Sequence, residues 1–268
     1  MREHWRAGYY TTLYKDDVSE CHSRIGVLRW AVELGRIDIC TEASIMAAYT
    51  ASPRKGHLEA NYHIFAYLKR DDRSWLVFDA SCPNNVEQSL PDRKDFHKDV
   101  KEQIPKYAPE PLSESVEMMA CIDSDHAGDK VTQQSCTGVL IFLIRSPILW
   151  HSKKQSSIET SSFGSEFSAM KTGTELIEGL RYKLRMMGFP IDRPCHVKAD
   201  NLSVVRNSSQ SEFTLKKKSN SIAFHCVWER AAQIISVQYE PTDTNLADML
   251  TKIQSGSKML QLAGRILF

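Results

Sequence analysis

Between residues 116 and 154, three runs of strand-forming residues follow one another with only turn-length gaps, and a long amphipathic segment comes directly after them. "VEMMACID", "TGVLIFLI" and "PILWHSK" are short apolar stretches bounded by turn residues, the last two separated by Arg145-Ser146-Pro147. Runs of that length predict buried strands. From 161 to 187, Phe167, Met170, Thr174, Ile177, Leu180 and Leu184 recur at helical steps and predict one long helix with a single apolar face. A fourth strand ("CHVKADN"), a short helix ("LSVVRN") and a helix within 217–232 follow. A fifth strand ("IISVQYE") and a last short helix ("NLADMLTK") complete the pattern. The order β-β-β-α-β-α-α-β-α predicts an α/β fold with a five-stranded mixed sheet flanked by helices, and the lack of an internal repeat removes a solenoid.

The residues upstream read differently. "RIGVLRWAVELGR", "DICTEASIMAAY" and "GHLEANYHIFAYLKR" predict three helices, the last with Leu58, Tyr62, Phe65 and Leu68 on its apolar face, and "SWLVFD" (74–79) predicts a strand. Residues 81–113 are rich in Pro, Lys, Asp and Glu, which predicts a linker with a short helix near 94–104. The expected division is therefore 1–80, a linker over 81–113, a main domain over 114–255 and a tail over 256–268.

The 268 residues carry a formal charge of +1, with 42% hydrophobic side chains, so only local charge clusters speak to partners. Seven scattered cysteines without a CxxC pair suit reduced thiols in an intracellular chain. The longest apolar run, 138–144, is far too short to span a bilayer.

Acidic residues stand at the ends of the predicted elements. Asp123 and Asp125 close the first strand and would share a face if it stayed regular, and Asp129 adjoins a turn at Gly128. Asp200 ends the fourth strand, Glu166 lies in the first turns of the long helix, and Asp248 begins the last short one. Each alone reads equally as a turn or first-turn acid. Together they describe a site for two divalent cations, roughly 4 Å apart, of the kind that cleaves phosphodiesters. Hard anionic oxygens are what Mg²⁺ needs. No P-loop, G-x-S-x-G or H-E-x-x-H pattern competes with this.

"CIDSDHAGDK", "PILWHSKKQ", "ETSSFGSEFSAM", "ADNLSVV", "LKKKSNSIAFH" and "PTDTNLADMLTK" resemble, in order and spacing, the ribonuclease H domain of Ty1/copia-type retrotransposon polyproteins. "HSRIGVLRWAVELGRIDI" and "GHLEANYHIFAYLK" are similar to the segment after the polymerase palm in the same polyproteins, so the resemblance covers most of 22–253. It implies a ribonuclease H-like fold preceded by a small, mainly helical remnant of the reverse transcriptase C-terminal region. It implies metal ligands at Asp123 (bridging two Mg²⁺, with Mn²⁺ able to substitute), Glu166 and Asp200 (holding one ion) and Asp248 (holding the other). The activity implied is endonucleolytic cleavage of the RNA strand of RNA–DNA hybrids, and the alternative is an inactive relic that binds nucleic acid or serves only as a structural module. His126 stands where the family commonly has tryptophan, and Gly164 replaces one of two glutamates, leaving Glu166.

Lys153, Lys154, Lys216, Lys217 and Lys218 are candidate phosphate contacts, against the alternative of solvated charge. Ser162, Ser165 and Asn201 are candidate hydrogen-bond donors to a hybrid or, equally, helix caps. His225 is expected as a packed helix residue. "YKDD" (14–17) matches a polymerase signature but lacks flanking apolar strands, and is expected as an acidic surface loop. The expected partners are an RNA–DNA hybrid and the polymerase part of the same polyprotein, with no membrane. The expected location is intracellular, in the cytoplasm (virus-like particle) or the nucleus.

Overall fold

A computed structural model describes residues 11–79, 102, 104, 106–209, 221–231 and 233–267. They divide into two compact units, one running to Val77 and resuming at Ile253, the other spanning Phe78–Lys252.

The larger unit is built on five strands: β1 (Met118–Ser124), β2 (Cys136–Leu143), β3 (Ser146–Lys154), β4 (Cys195–Ala199) and β5 (Ile235–Tyr239). Their order is β3-β2-β1-β4-β5. The first three form an antiparallel meander, and β4 and β5 add in parallel to β1. This is the mixed sheet the element order predicts. Ile144 and Arg145 make the β2–β3 turn, with Ile144 at φ 58°.

Alternation along the strands makes one core. Met118, Ala120 and Ile122 of β1 pack with Val139 and Ile141 of β2 and Val197 and Ala199 of β4. Against them lies α4 (Ser162–Met186), through Phe167, Met170 and Ile177. The 3.6-residue period of that helix therefore has its cause in a flat apolar sheet face. Gly173 lets α4 approach closely, because a Cβ there would strike Ile122. Two further helices, α5 (Leu202–Ser209) and α6 (Ser221–Ala231), add Val204, Phe224 and Val227 to the same core. Near the C-terminal end of α4, the buried Arg181 donates to Glu102 and to the Arg193 carbonyl, which satisfies its charge.

The smaller unit holds α1 (Lys15–Glu33), a 3₁₀ turn (Ile37–Ile39), α2 (Cys40–Ala48), α3 (Lys55–Arg70) and, from the other end of the chain, α7 (Gly256–Ala263). Three expectations are corrected here. Residues 15–17 of "YKDD" open α1 and are not a loop, with Asp16 and Asp17 in the first turn where the helix dipole favours acids. Residues 74–79 form no strand; a single bridge joins Leu76 to Leu267, and Trp75 and Phe78 stay exposed. On α3 the buried face runs through His57, Leu58, Ala60, Asn61 and Ile64, so Leu58 is buried as expected while Tyr62 is turned outward. The Tyr62 hydroxyl donates to Glu20, and the Arg24 guanidinium lies 4.2 Å over its ring. Aromatic, cation and carboxylate satisfy one another at the surface, and the shorter side chains fill the interior. The short helix expected near 94–104 falls largely outside the described residues.

Among the described residues, no helix is long and apolar enough to cross a membrane. Cys21, Cys40, Cys121, Cys136, Cys195 and Cys226 stand as thiols, with no disulfide among them.

Candidate active site

β1 lies at the switch point of the sheet, antiparallel to β2 on one side and parallel to β4 on the other. The carboxyl ends of β1 and β4 are therefore neighbours, and the crevice beyond such ends is where open α/β sheets bind ligands. Asp123 is the penultimate residue of β1, in register with Gly138 and on the face opposite Ile122. A Cβ on Gly138 would come within 2.7 Å of the Thr251 methyl and 2.9 Å of both the Ala247 carbonyl and Leu250 Cβ. Glycine leaves the room in which a 3₁₀ turn (Leu246–Leu250) lies against β2. Asn245 secures that turn: its amide donates to the Ile122 carbonyl at 3.1 Å while its oxygen accepts from Ala247 N at 3.1 Å. Thr251, just past the turn, donates its hydroxyl to Asp123 Oδ2.

Glu166 comes from the opening turns of α4, whose N-cap Ser161 accepts from Gly164 N at 3.3 Å. The buried Gln155, just after β3, joins the neighbouring strands to this helix. Its amide donates to the Ser165 carbonyl at 2.9 Å, to Thr137 Oγ1 at 3.0 Å and to Ser124 Oγ at 3.4 Å. One side chain thereby ties the residue beside Glu166 to the residue beside Asp123. Asp200 follows β4 and accepts from the Thr242 hydroxyl at 2.8 Å.

One oxygen each from Asp123, Glu166 and Asp200 lies within 4.8 Å of the others. Glu166 and Asp200, with Asn201, Leu202 and Ser203, line an open cleft of about 330 Å³. Crowding buried carboxylates suppresses their ionisation. Burial, with Asp200 and Asp248 adding to it, pushes Asp123 up to about 6 against the opposing pull of Thr251 and Lys252. Burial and then the charges of Asp123 and Asp200 push Glu166 up to about 9, while Lys252 and a backbone hydrogen bond from Ser124 oppose the shift. A hard divalent cation fits this donor set: all its ligands are carboxylate oxygens from three different elements, and their repulsion is relieved by a positive ion.

Asp248 stands outside this group of three. Its carboxylate is buried in the 3₁₀ turn and ion-paired to Lys252, one turn on. Lys252 is a site residue that the sequence pattern does not single out. Burial lowers its proton affinity, but Asp248, Asp123 and Asp200 more than offset that and raise it. The i, i+4 spacing in "DMLTK" is the signal that was available, and in a helix it usually marks only a surface pair.

The other aspartates of "CIDSDHAGDK" hold the turn after β1. Asp125 accepts from Cys136 N, and its carboxylate occupies the space a Cβ on Gly128 would take, so a larger residue there would displace that carboxylate. Asp129 accepts from Val131 N at 2.8 Å and pairs with Lys154, interactions that outweigh its partial burial and hold it down at about 2. Of the candidate phosphate contacts, Lys154 is thus engaged by Asp129, Lys153 is exposed on β3, and Lys216, Lys217 and Lys218 lie outside the described residues. Asn201 caps α5, accepting from Ser203 N at 3.0 Å and Val204 N at 3.3 Å. Ser162 is exposed, and the buried Ser165 donates to the Ser162 carbonyl at 2.9 Å. His126 is exposed, and so is His225, which corrects the packed position expected for it. Its ring meets Phe224 edge-on, and Phe224 fills the core in its place.

No family model matches the chain. It is similar to the retrovirus-related Pol polyprotein from transposon TNT 1-94 of Nicotiana tabacum, 26% identical over 238 residues, which is 88% of this chain and 15% of that protein. It is also similar to the corresponding polyprotein from transposon RE1 of Arabidopsis thaliana, 27% identical over 153 residues, 57% of this chain and 10% of that protein. The chain thus spans no more than about a seventh of the length of these relatives. Among solved structures it is similar to LC11-RNase H1 in complex with an RNA/DNA hybrid (TM-score 0.40, 20% identity), over 50% of this chain and 94% of that one. A second is the N-terminal RNase H domain of rv2228c from Mycobacterium tuberculosis (TM-score 0.40, 15% identity), over 56% of this chain and 98% of that one.

Proposed function

For a chain whose homologues are retrovirus-related Pol polyproteins of plant transposons, we propose that it is the ribonuclease H part of such a polyprotein, a metal-dependent endonuclease that cuts the RNA strand of RNA–DNA hybrids. The observation that carries this reading is the convergence of Asp123, Glu166 and Asp200 at the carboxyl edge of a five-stranded mixed sheet. The ligands are proposed as Asp123, Glu166 and Asp200, with Asp248 serving a second ion; Mg²⁺ is the proposed metal, and Mn²⁺ can replace it. When bound, the metal supplies Lewis-acid stabilisation of the phosphodiester oxygens and lowers the pKa of an attacking water.

The protein's part is orientation. Thr251 donates to one oxygen of the buried Asp123, and Thr242 donates to one oxygen of Asp200, which lines the cleft. Gln155 holds the start of α4 against the ends of β1 and β2, which fixes Glu166 relative to Asp123. The cleft is open and flanked by the start of α5. Lys153, exposed on β3, is proposed to contact the hybrid backbone, with Lys216–Lys218 and Asn201 as further contacts. The polymerase part of the same polyprotein is the proposed protein partner.

The test is cleavage of an end-labelled RNA–DNA hybrid by the Asp123→Asn variant in Mg²⁺. A loss of at least about a hundredfold with an unchanged circular dichroism spectrum is expected, since a preorganised charge group at a reacting centre is worth that much. Cleavage at the wild-type rate would overturn the assignment.

A further inference from the structure

Lys252 places a positive charge inside the acidic site. Its ammonium pairs with the fully buried Asp248, while its side chain is 43% exposed. The same charge acts on Asp123 and Glu166, two of the three convergent carboxylates. We propose that Lys252 is a resident counter-cation that engages Asp248 and so restricts the nucleic-acid-free protein to a single divalent ion, held by Asp123, Glu166 and Asp200.

The inference rests on the reading of those three residues as a divalent-cation site. Its further content comes from charge. With one divalent ion bound, which displaces their protons, the four carboxylates of Asp123, Glu166, Asp200 and Asp248 with Lys252 and that ion sum to a single residual negative charge. A second would make the cluster net positive, and freeing Asp248 for it would cost that buried carboxylate its ion pair with Lys252. Without the lysine, two ions balance the four carboxylates. A substrate phosphate brings one negative charge and restores the same balance with the lysine in place. Lys252 is thus a positioning residue that acts through Asp248 and sets how many ions the site accepts before nucleic acid binds.

The test is the number of Mn²⁺ ions bound by the full chain without nucleic acid, counted by loss of the free-ion electron paramagnetic resonance signal. Wild type and Lys252→Arg are expected to bind one ion, and Lys252→Met two over the same concentration range. Asp248→Asn is expected to keep the first ion, because Asp248 is not among its ligands. Two ions in wild type, a single ion in a folded Lys252→Met, or loss of the first ion in Asp248→Asn would each overturn the proposal; the wild-type count decides even if Lys252→Met does not fold. Failure of the underlying site reading looks different: wild type would bind no ion, or Asp123→Asn would bind as wild type does.

Discussion

Gly138 shows how one missing side chain can build a site. It is the register partner of Asp123, and the space above it is filled by Ala247, Leu250 and Thr251. Gly138→Ala inserts a methyl at contacts of 2.7–2.9 Å, partly against backbone, so the 3₁₀ turn must lift away from β2. A loss of about 1–3 kcal/mol is expected from such overpacking, read by urea denaturation, together with weakened Mn²⁺ binding as Thr251 leaves Asp123. Glu166 gives a second prediction at this scale. Its carboxyl is pushed up to about 9, by burial first and then by Asp123 and Asp200, so between its ordinary value near 4.5 and about 9 the unfolded chain releases a proton that the folded one keeps. Stability contributed by this group is therefore present at low pH and lost as pH rises through that window. Thermal melts without metal should fall from pH 5 to pH 9, Glu166→Gln should flatten the slope, and Mg²⁺ should raise the midpoint increasingly with pH, by on the order of 5 °C at the alkaline end. A metal-free midpoint that rises across that range would contradict the electrostatic account.

At the scale of elements, the site depends on where three segments meet, and Gln155 joins them. Gln155→Leu keeps the volume but leaves the Ser165 carbonyl and Thr137 hydroxyl without this donor, so roughly 1–3 kcal/mol should be lost in chemical denaturation. Cleavage should fall through a lower kcat with KM little changed, since Glu166 would be misplaced while the outer cleft stays intact. Much at this scale was legible in the sequence. The apolar runs of 116–154 answer to burial of β1 and β2 on both faces, and the α4 stripe from Phe167 to Leu184 answers to burial against one of those faces. The acids at element ends were visible for the same reason, because strand ends and first turns can be located. What the sequence did not show depends on contacts far apart along the chain. Tyr62 leaves the interior because Glu20 and Arg24 satisfy it outside, and "SWLVFD" has strand-like residues but, among the described residues, only a single bridging partner. Asp248 looked equivalent to the other acids until the turn carrying it set it against Lys252.

At the scale of the whole molecule, the sheet unit is the larger and holds one continuous core, although it too leaves side chains such as Tyr107, Leu112 and Met187 exposed. The sheet unit covers its core face with α4, α5 and α6. The smaller unit leaves Val27, Trp30 and Leu34 exposed along one side of α1, with Trp75 exposed beyond α3. Large exposed apolar side chains in one patch weaken a unit that must stand alone. Limited proteolysis should therefore cut within residues 11–77 before it cuts the sheet unit; equal resistance would contradict this. The sheet unit has the more direct test. With a labelled RNA–DNA hybrid and the matching DNA duplex as substrates, cleavage by the wild-type chain should be absent without divalent metal. It should appear with increasing Mg²⁺ or Mn²⁺, and should be confined to the RNA strand of the hybrid. Binding of the hybrid with no cleavage at any Mg²⁺ or Mn²⁺ concentration, or equal cleavage of the DNA duplex, would contradict the account.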